Sequence, residues 1–517
     1  MITNPVLTGF HPDPSMIFVD GMFYIANSTF EYYPGVRISK SSDLANWETV
    51  GCALTHQFDP RGALHECGIW APCLSYCDGT YYLVFTDVKT ASEGPHKDTP
   101  NYIVTAKSIE GPWSEPIYVN SSGFDPSLFH DDDGRKYLVN MEWDYRKPGR
   151  EKFTGILLTE LNPQTLLPVT SAKRIFPGTS YGITEGPHLY KKDGYYYLVM
   201  AEGGTSYGHA VTVARAREVN GSYETQEQPI LLTARETPES PLQKCGHGSI
   251  CQDANGRWWV AFLCGRPMAG TTRCNLGRET AIAELIWEEG QFPRLKAGGI
   301  IPPLNFEGYG EQRPLAELSC DFSGEQFYKE FNSLRGEAEY EVLQSGALRL
   351  FGKEFINSRN VQNLLVTRQR AASFVAETAI VNPHHHFKCF GGLTLRYSES
   401  NQYYLQFVWD EARDSNVLQV LRMDGGRFDL LDCGGIAIDG DTVHLRLTVE
   451  EKTGRFSYSM DGKTFTPIDF ELDTTILSDE QDSGFTGSMV GIAASDLEYN
   501  RAPIDFLYFR YKNLSVR

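Results

Sequence analysis

Three acidic residues stand at comparable points in the first half of the chain: Asp13 in HPDPS, Asp125 in GFDPS and Glu185 in ITEGPH. Taken one at a time, an Asp before Pro at a strand entrance caps a turn. Taken together they offer more. Two carboxylates facing one cavity are the minimum for cleaving a glycoside, one protonated to donate to the leaving oxygen and one ionised to act on water or carbon. A third carboxylate nearby raises the pKa of the donor by like-charge repulsion. Three acids therefore have three jobs available, provided the fold brings them to one place.

The surrounding sequence supplies that fold. Each acid stands at the entrance of a copy of one phrase: a short Pro/Gly-containing start, a few apolar residues, a DG or NG pair, then aromatics. The copies are DPSMIFVDGMFY from Asp13, APCLSYCDGTYY from Ala71, DPSLFHDDDGRKY from Asp125, GPHLYKKDGYYY from Gly186 and HGSICQDANGRWW from His247. Their turn glycines, Gly21, Gly79, Gly134, Gly194 and Gly256, are spaced by 58, 55, 60 and 62 residues. A period of that length is one supersecondary unit per copy. DG and NG supply the positive φ angles of a type I′ hairpin, so each copy reads as strand, two-residue turn, strand. Five copies predict a five-bladed β-propeller whose entrances converge on one central cavity.

The rest of the chain bounds the class. A length of 517 residues exceeds one compact core. The expected division is a propeller over residues 1–300, a linker over 301–317 within a Pro/Gly-rich stretch, and a second domain over 318–517. In that domain short alternating strands separated by Asp424-Gly425-Gly426 and Asp461-Gly462 predict an antiparallel β-sandwich of jelly-roll or concanavalin-like type. Helical periodicity is nearly absent, so the chain reads as all-β. A net charge of −19 argues against a nucleic-acid partner, and no apolar run suits a membrane. Eleven cysteines without CxxC spacing read as reduced thiols; with no signal-peptide pattern at the start, the expected location is the cytoplasm.

Several segments carry a family resemblance: NPVLTGFHPDPSM, GFDPSLF, YGITEGPHLYKKDGYYYLVMAEGGTSYGHAVTVARA, KCGHGSI, RCNLGRETAI and, near the end, GFTGSMVGI from Gly484. In this order and spacing they are similar to the motifs of glycoside hydrolase family 43, in particular its two-domain β-xylosidases. The resemblance implies hydrolysis with inversion, releasing one pentose at a time from a non-reducing end. It implies that Asp13 is the general base, Asp125 the residue that tunes and orients the acid, and Glu185 the general acid. The residue chemistry agrees. Glu185 lies among aromatic and small residues, where desolvation and Asp125 keep it protonated, while Asp13 sits between two prolines that fix its backbone. Inversion requires carboxyl groups about 6.5–9.5 Å apart, leaving space for water, against about 5 Å for retention.

Other positions match the family's sugar pocket. Phe30 and Trp70 are candidate stacking platforms, though a Trp before Ala-Pro also suits blade packing. Arg278 in LGRET resembles an arginine that binds sugar hydroxyls; by itself it would read as a surface ion pair. His247 opens the fifth copy near the axis, where it could hold water, sugar or a metal, or be a satisfied core histidine. Phe485 belongs to the second domain, and the resemblance suggests that its loop closes one side of the pocket. No cofactor is expected to be required. A divalent cation such as calcium would sit at the axis near His247, but no ligand set with recognisable spacing supports one.

The expected substrate is a xylo-oligosaccharide, and the family expectation is a homo-oligomer, dimer or tetramer. Two other functions remain: a debranching α-L-arabinofuranosidase and a non-catalytic sugar-binding propeller. Three weaker signals read blandly. Asp131-Asp132-Asp133-Gly134 is the third repeat's own turn, His384-His385-His386 a solvated turn, and Glu66-Cys67 lacks the NDPNG partner motif of invertase-like propellers.

Overall fold

The computed structural model describes residues 1–91, 94–315, 317–322, 327–482 and 484–514. Five four-stranded antiparallel sheets follow one another along the chain, each ordered as its strands occur in sequence. Their innermost strands are Ser15–Val19, Gly68–Cys77, Ser127–His130, Glu185–Lys192 and Gln243–Gln252. These are the repeat copies, and they make blades one to five of a propeller. Blade packing is apolar: Ile38, Leu74, Leu83 and Phe85 lie between blades one and two, and Val199, Val211, Val260 and Phe262 between blades four and five.

The repeat turns fall into two kinds. Asp20-Gly21, Asp78-Gly79 and Asp193-Gly194 have both residues at positive φ and join strands with two residues between the last partners, the predicted type I′ geometry. Blades three and five differ from the expectation. There His130 pairs with Lys136 and Gln252 with Trp258, so five residues intervene, and only Gly134 and Gly256 are left-handed. The extra residues of DDDGR and DANGR let the Asp131 and Asp253 carbonyls accept the Gly134 and Gly256 amides across a longer loop.

The N-terminal segment seals the ring. Ile2–Thr3 pairs with Asn305–Phe306, and Leu7 bridges to Thr280 on the third strand of blade five. The Asn4 side chain donates to the Ile282 carbonyl (2.8 Å) and accepts from the Ile282 amide (2.9 Å). Blade one is thus fastened to blade five by chain that precedes it.

The second domain is a sandwich of a six-stranded sheet, Asn363–Arg368 through Arg427–Ile438, and a nine-stranded sheet that includes Phe374–Val381, Thr442–Glu450 and Pro503–Asn513. Leu393, Leu405, Ile380, Leu445 and Phe506 fill the space between them. The six-stranded sheet is covered on its outer face as well. Leu364, Val366, Phe390, Tyr404 and Met489 form one apolar cluster with Phe10, Phe30 and Tyr32 of the propeller. Ser333–Leu334 adds to this joint by pairing with Tyr32–Tyr33. Burying each large side chain of this kind stabilises by about 1.5–3 kcal/mol, so the two domains form one packed body.

Candidate active site

The innermost strands begin with a shared backbone device. Asp13, Ala71, Asp125, Gly186 and His247 occupy one repeat position, and all five are left-handed, with φ of 50°, 37°, 54°, 55° and 49°. In blades two, four and five this position lies inside a β-bulge, where two residues oppose one on the neighbouring strand. A bulge re-aims side chains on either side of it. Here it lets two consecutive positions face the propeller mouth. Glu185 therefore does not share the register of Asp13 and Asp125; it takes the preceding position, which is Trp70 in blade two and Phe124 in blade three. A side chain at Gly186 would come within 3.1 Å of the His247 ring, which is why blade four has glycine at the bulge and its acid one residue earlier.

All eight residues singled out by sequence line one cavity of about 520 Å³ at this mouth: Asp13, Phe30, Trp70, Asp125, Glu185, His247, Arg278 and Phe485. The three acids are nearly buried. Ser28 Oγ donates to Asp13 Oδ2 (2.6 Å), and Asp13 Oδ1 lies 3.6 Å from His247 Nδ1 and 3.8 Å from Arg278 Nη1. Asn27 Nδ2 holds the preceding Pro12 carbonyl at 2.8 Å. Asp125 Oδ2 accepts the Gly186 amide (3.1 Å), tying blade three to the strand that carries Glu185. Upstream of Glu185, the buried Glu202 accepts from the Thr179 amide (2.7 Å) and the Thr184 hydroxyl (2.6 Å), fixing the chain's approach.

Burial raises the Glu185 carboxyl to about 8, with Asp13 adding to the rise and Arg278 and Lys97 opposing it. Asp125 is raised well above the usual carboxylate range by burial, then by Glu185 and Asp13. His247 is lowered by burial and Arg278, against Asp13. The cavity thus keeps Glu185 a neutral carboxylic acid at neutral pH, while the Asp13 side chain is faced by a guanidinium and an imidazole, two different environments for two acids.

The walls are aromatic and come from both domains. Phe485 stacks on Phe30 with centroids 6.4 Å apart and meets Trp70 edge-on at 6.0 Å. The Arg278 guanidinium lies 4.4 Å from the Phe485 ring centre. The Trp70 indole donates to the Glu66 carbonyl (2.6 Å). The Phe485 loop is held down by a buried ion pair, Lys244 Nζ to Asp479 Oδ2 at 2.8 Å, with Tyr397 donating to Asp479 Oδ1 at 2.8 Å. Its backbone crosses Gly277 so closely that a Cβ there would lie 1.8 Å from the Thr486 carbonyl oxygen.

Sequence reasoning missed other lining residues. Phe124 was accessible to it, since it shares the repeat position of Trp70 and Glu185. Lys97, whose ammonium lies 4.7 Å from the Trp143 ring centre, and Asp482 belong to connections outside the repeat and carried no signal. Glu66, read as unremarkable, also lines the cavity and is raised to about 8 by burial. Arg278 Nε and Nη2, Thr205 Oγ1, Glu66 Oε1 and Asp482 Oδ2 are buried without a hydrogen-bond partner in the protein. Such orphaned donors and acceptors, set among aromatic rings, match a ligand with apolar faces and several hydroxyls. Among the described residues no group of three or more His, Cys, Asp or Glu is arranged to hold a metal ion. His384, His385 and His386 diverge to the Pro503 carbonyl, Asp441 and Glu498.

A five-bladed propeller with three carboxyl groups at its mouth, two of them with pKa raised by burial, and with aromatic walls defines a glycoside-cleaving enzyme. Residues 2–293 match the profile of Glycosyl hydrolases family 43, and residues 319–512 that of the beta xylosidase C-terminal Concanavalin A-like domain. The chain is 43% identical over 534 residues to xylosidase/arabinosidase 43B of Humicola insolens, covering 99% of this chain and 97% of that one. It is 40% identical over 536 residues to a beta-xylosidase of Bacillus subtilis (strain 168), covering 99% of each. The crystal structure of xylan beta-1,4-xylosidase from Bacillus halodurans C-125 superposes with a TM-score of 0.95 at 44% identity, over 99% of this chain and all of that one. The chain belongs to glycosyl hydrolase family 43.

Proposed function

We propose that this enzyme is an exo-acting β-xylosidase that removes xylose from the non-reducing end of β-1,4-xylo-oligosaccharides with inversion. The observation that carries the reading is the closure of the acid-lined cavity by Phe485 stacked on Phe30. A cavity stopped on one side receives the end of a chain rather than its middle. The names of the xylosidase relatives point to the same substrate.

In this reading Glu185 in its neutral form gives its proton to the glycosidic oxygen as the bond to the anomeric carbon breaks. Asp13 takes a proton from water as that water's oxygen bonds to the anomeric carbon from the opposite face. The cycle leaves Glu185 ionised and Asp13 protonated, and exchange with solvent restores both. Asp125, joined to the Gly186 amide, holds the acid's strand, and its own carboxyl is raised by burial and then by Glu185. Phe30, Trp70 and Phe485 supply apolar walls, and Arg278 and His247 supply donors to hydroxyls.

A second activity, release of α-L-arabinofuranose, is favoured by the bifunctional name of the Humicola insolens relative. Parallel kinetics on aryl β-xyloside, aryl α-L-arabinofuranoside and xylobiose test both. Turnover of xylobiose and the xyloside with weaker turnover of the arabinofuranoside is expected. Preference for the arabinofuranoside with no action on xylobiose would replace this reading with a debranching one.

A further inference from the structure

The propeller and the sandwich meet at a second cavity, a groove of about 740 Å³ that shares no lining residue with the active site. Four arginines line it: Arg37 from blade one, Arg313 from the segment after the propeller, and Arg368 and Arg370 from the sandwich. The only carboxylate near Arg37, Arg368 and Arg370 among the described residues is Glu330, 2.6 Å from Arg370 Nη2 and 3.7 Å from Arg37 Nη2. Arg368 has no acid within ion-pair distance. Its Nε and Nη1 donate to the Phe10 carbonyl (2.6 Å) and Asn332 Oδ1 (2.8 Å), and its Nη2 has no partner. Arg37 donates to the Lys329 carbonyl (2.9 Å) and the Thr49 hydroxyl (2.6 Å), and its Nε has no partner. Both side chains are buried, Arg37 at 4% and Arg368 at 2% exposure.

The groove's other acids are committed elsewhere. Asp43 accepts from Ser41, Ala45 and Asn46 in its own turn, and Glu48 pairs with Lys40 at 3.3 Å. His11 adds no charge, because burial and then Arg368, Arg37 and Arg370 hold its pKa well below the usual range. Three guanidiniums thus face one carboxylate in a chain of net charge −19. Buried charge without a counter-ion is costly, and a guanidinium's planar fork matches a planar or tetrahedral oxyanion.

We propose that this groove binds a small oxyanion, a phosphate or a carboxylate, between Arg37, Arg368 and Arg370, bridging blade one to the sandwich. Burial first, and then the neighbouring cations, lower the pKa of Arg37 and Arg368, and an anion would relieve that penalty. The occupant would raise the stability of the joint and leave the chemistry untouched.

Calorimetric titration of the full chain with inorganic phosphate and, separately, acetate, at ionic strength held constant with chloride, tests this. Saturable binding of either anion at one site is expected, the tighter one identifying the occupant, with an unchanged kcat on an aryl xyloside. Arg368→Met should weaken binding at least tenfold. Because Arg368 also anchors Phe10, Arg370→Gln provides a second variant expected to weaken binding several-fold. No saturable heat with either anion, or equal affinity in the original chain and a folded variant, would overturn the proposal.

Discussion

The ring of Phe485, carried by the sandwich, stacks on the ring of Phe30, carried by blade one, with centroids 6.4 Å apart and planes 23° apart. One wall of the catalytic cavity is therefore a contact between domains. Phe485→Ala removes that wall and the contact with the Arg278 guanidinium. The lost apolar contact is about 1.5–3 kcal/mol, roughly a ten- to hundredfold fall in kcat/KM on xylobiose. Steady-state kinetics on xylobiose check it, and unchanged kinetics would count against the plug.

Glu185 and Asp13 differ in which step they serve, and leaving groups separate them. Glu185→Ala should cost roughly 10²–10⁴-fold in kcat on xylobiose, whose leaving sugar needs a proton. On an aryl xyloside with a strongly acidic phenol the loss should be much smaller. Asp13→Asn should be equally damaging on both substrates, since water must lose a proton in either case. Equal losses for Glu185→Ala on both substrates would contradict the assignment of the acid.

The raised pKa of Glu185 sets the alkaline limit of activity. Its neutral form predominates below about pH 8, so kcat/KM should fall as pH rises through that value. Glu66 is raised to a similar value, so the profile of Glu66→Gln identifies the group: the same alkaline limb is expected if Glu185 is responsible. The folded pKa lies above the unfolded one, so this group's contribution to stability is complete below about pH 4.5 and lost by about pH 8. Glu185→Gln cannot ionise and should lose less Tm than the original chain across that window.

Gly277 allows the Phe485 loop to dock. It has a φ of +70°, and an added Cβ would overlap the Thr486 carbonyl, which belongs to a backbone with no room to yield. Gly277→Ala should cost on the order of 2 kcal/mol, seen as a lowered Tm, together with a rise in KM for xylobiose as the plug is displaced. A variant with native Tm and KM would mean that the loop does not need this close crossing.

The repeat made the propeller and its mouth legible because turn glycines recur at a nearly constant period and the acids flank them. It did not show that Asp13 and Asp125 occupy one position and Glu185 the one before, since a bulge is a feature of pairing between strands. Ring closure was equally hidden, because Asn4 finds Ile282 across the whole length of the propeller. In the sandwich, alternation marks a strand with one wet face, yet Cys389–Arg396 is buried along its entire length. Its second face meets blade one, and that contact follows from domain docking. Phe485 was legible only through resemblance; Asp482 and Lys97 lie in connections with no period to betray them.

The central claim is that water, activated by Asp13, attacks opposite a leaving group protonated by Glu185. The direct measurement is a proton NMR time course of xylobiose hydrolysis, recorded before mutarotation equilibrates the sugar. The non-reducing xylose should appear first as the α-anomer, the inverted product of a β-linkage. First appearance of β-xylose would show retention and contradict the account.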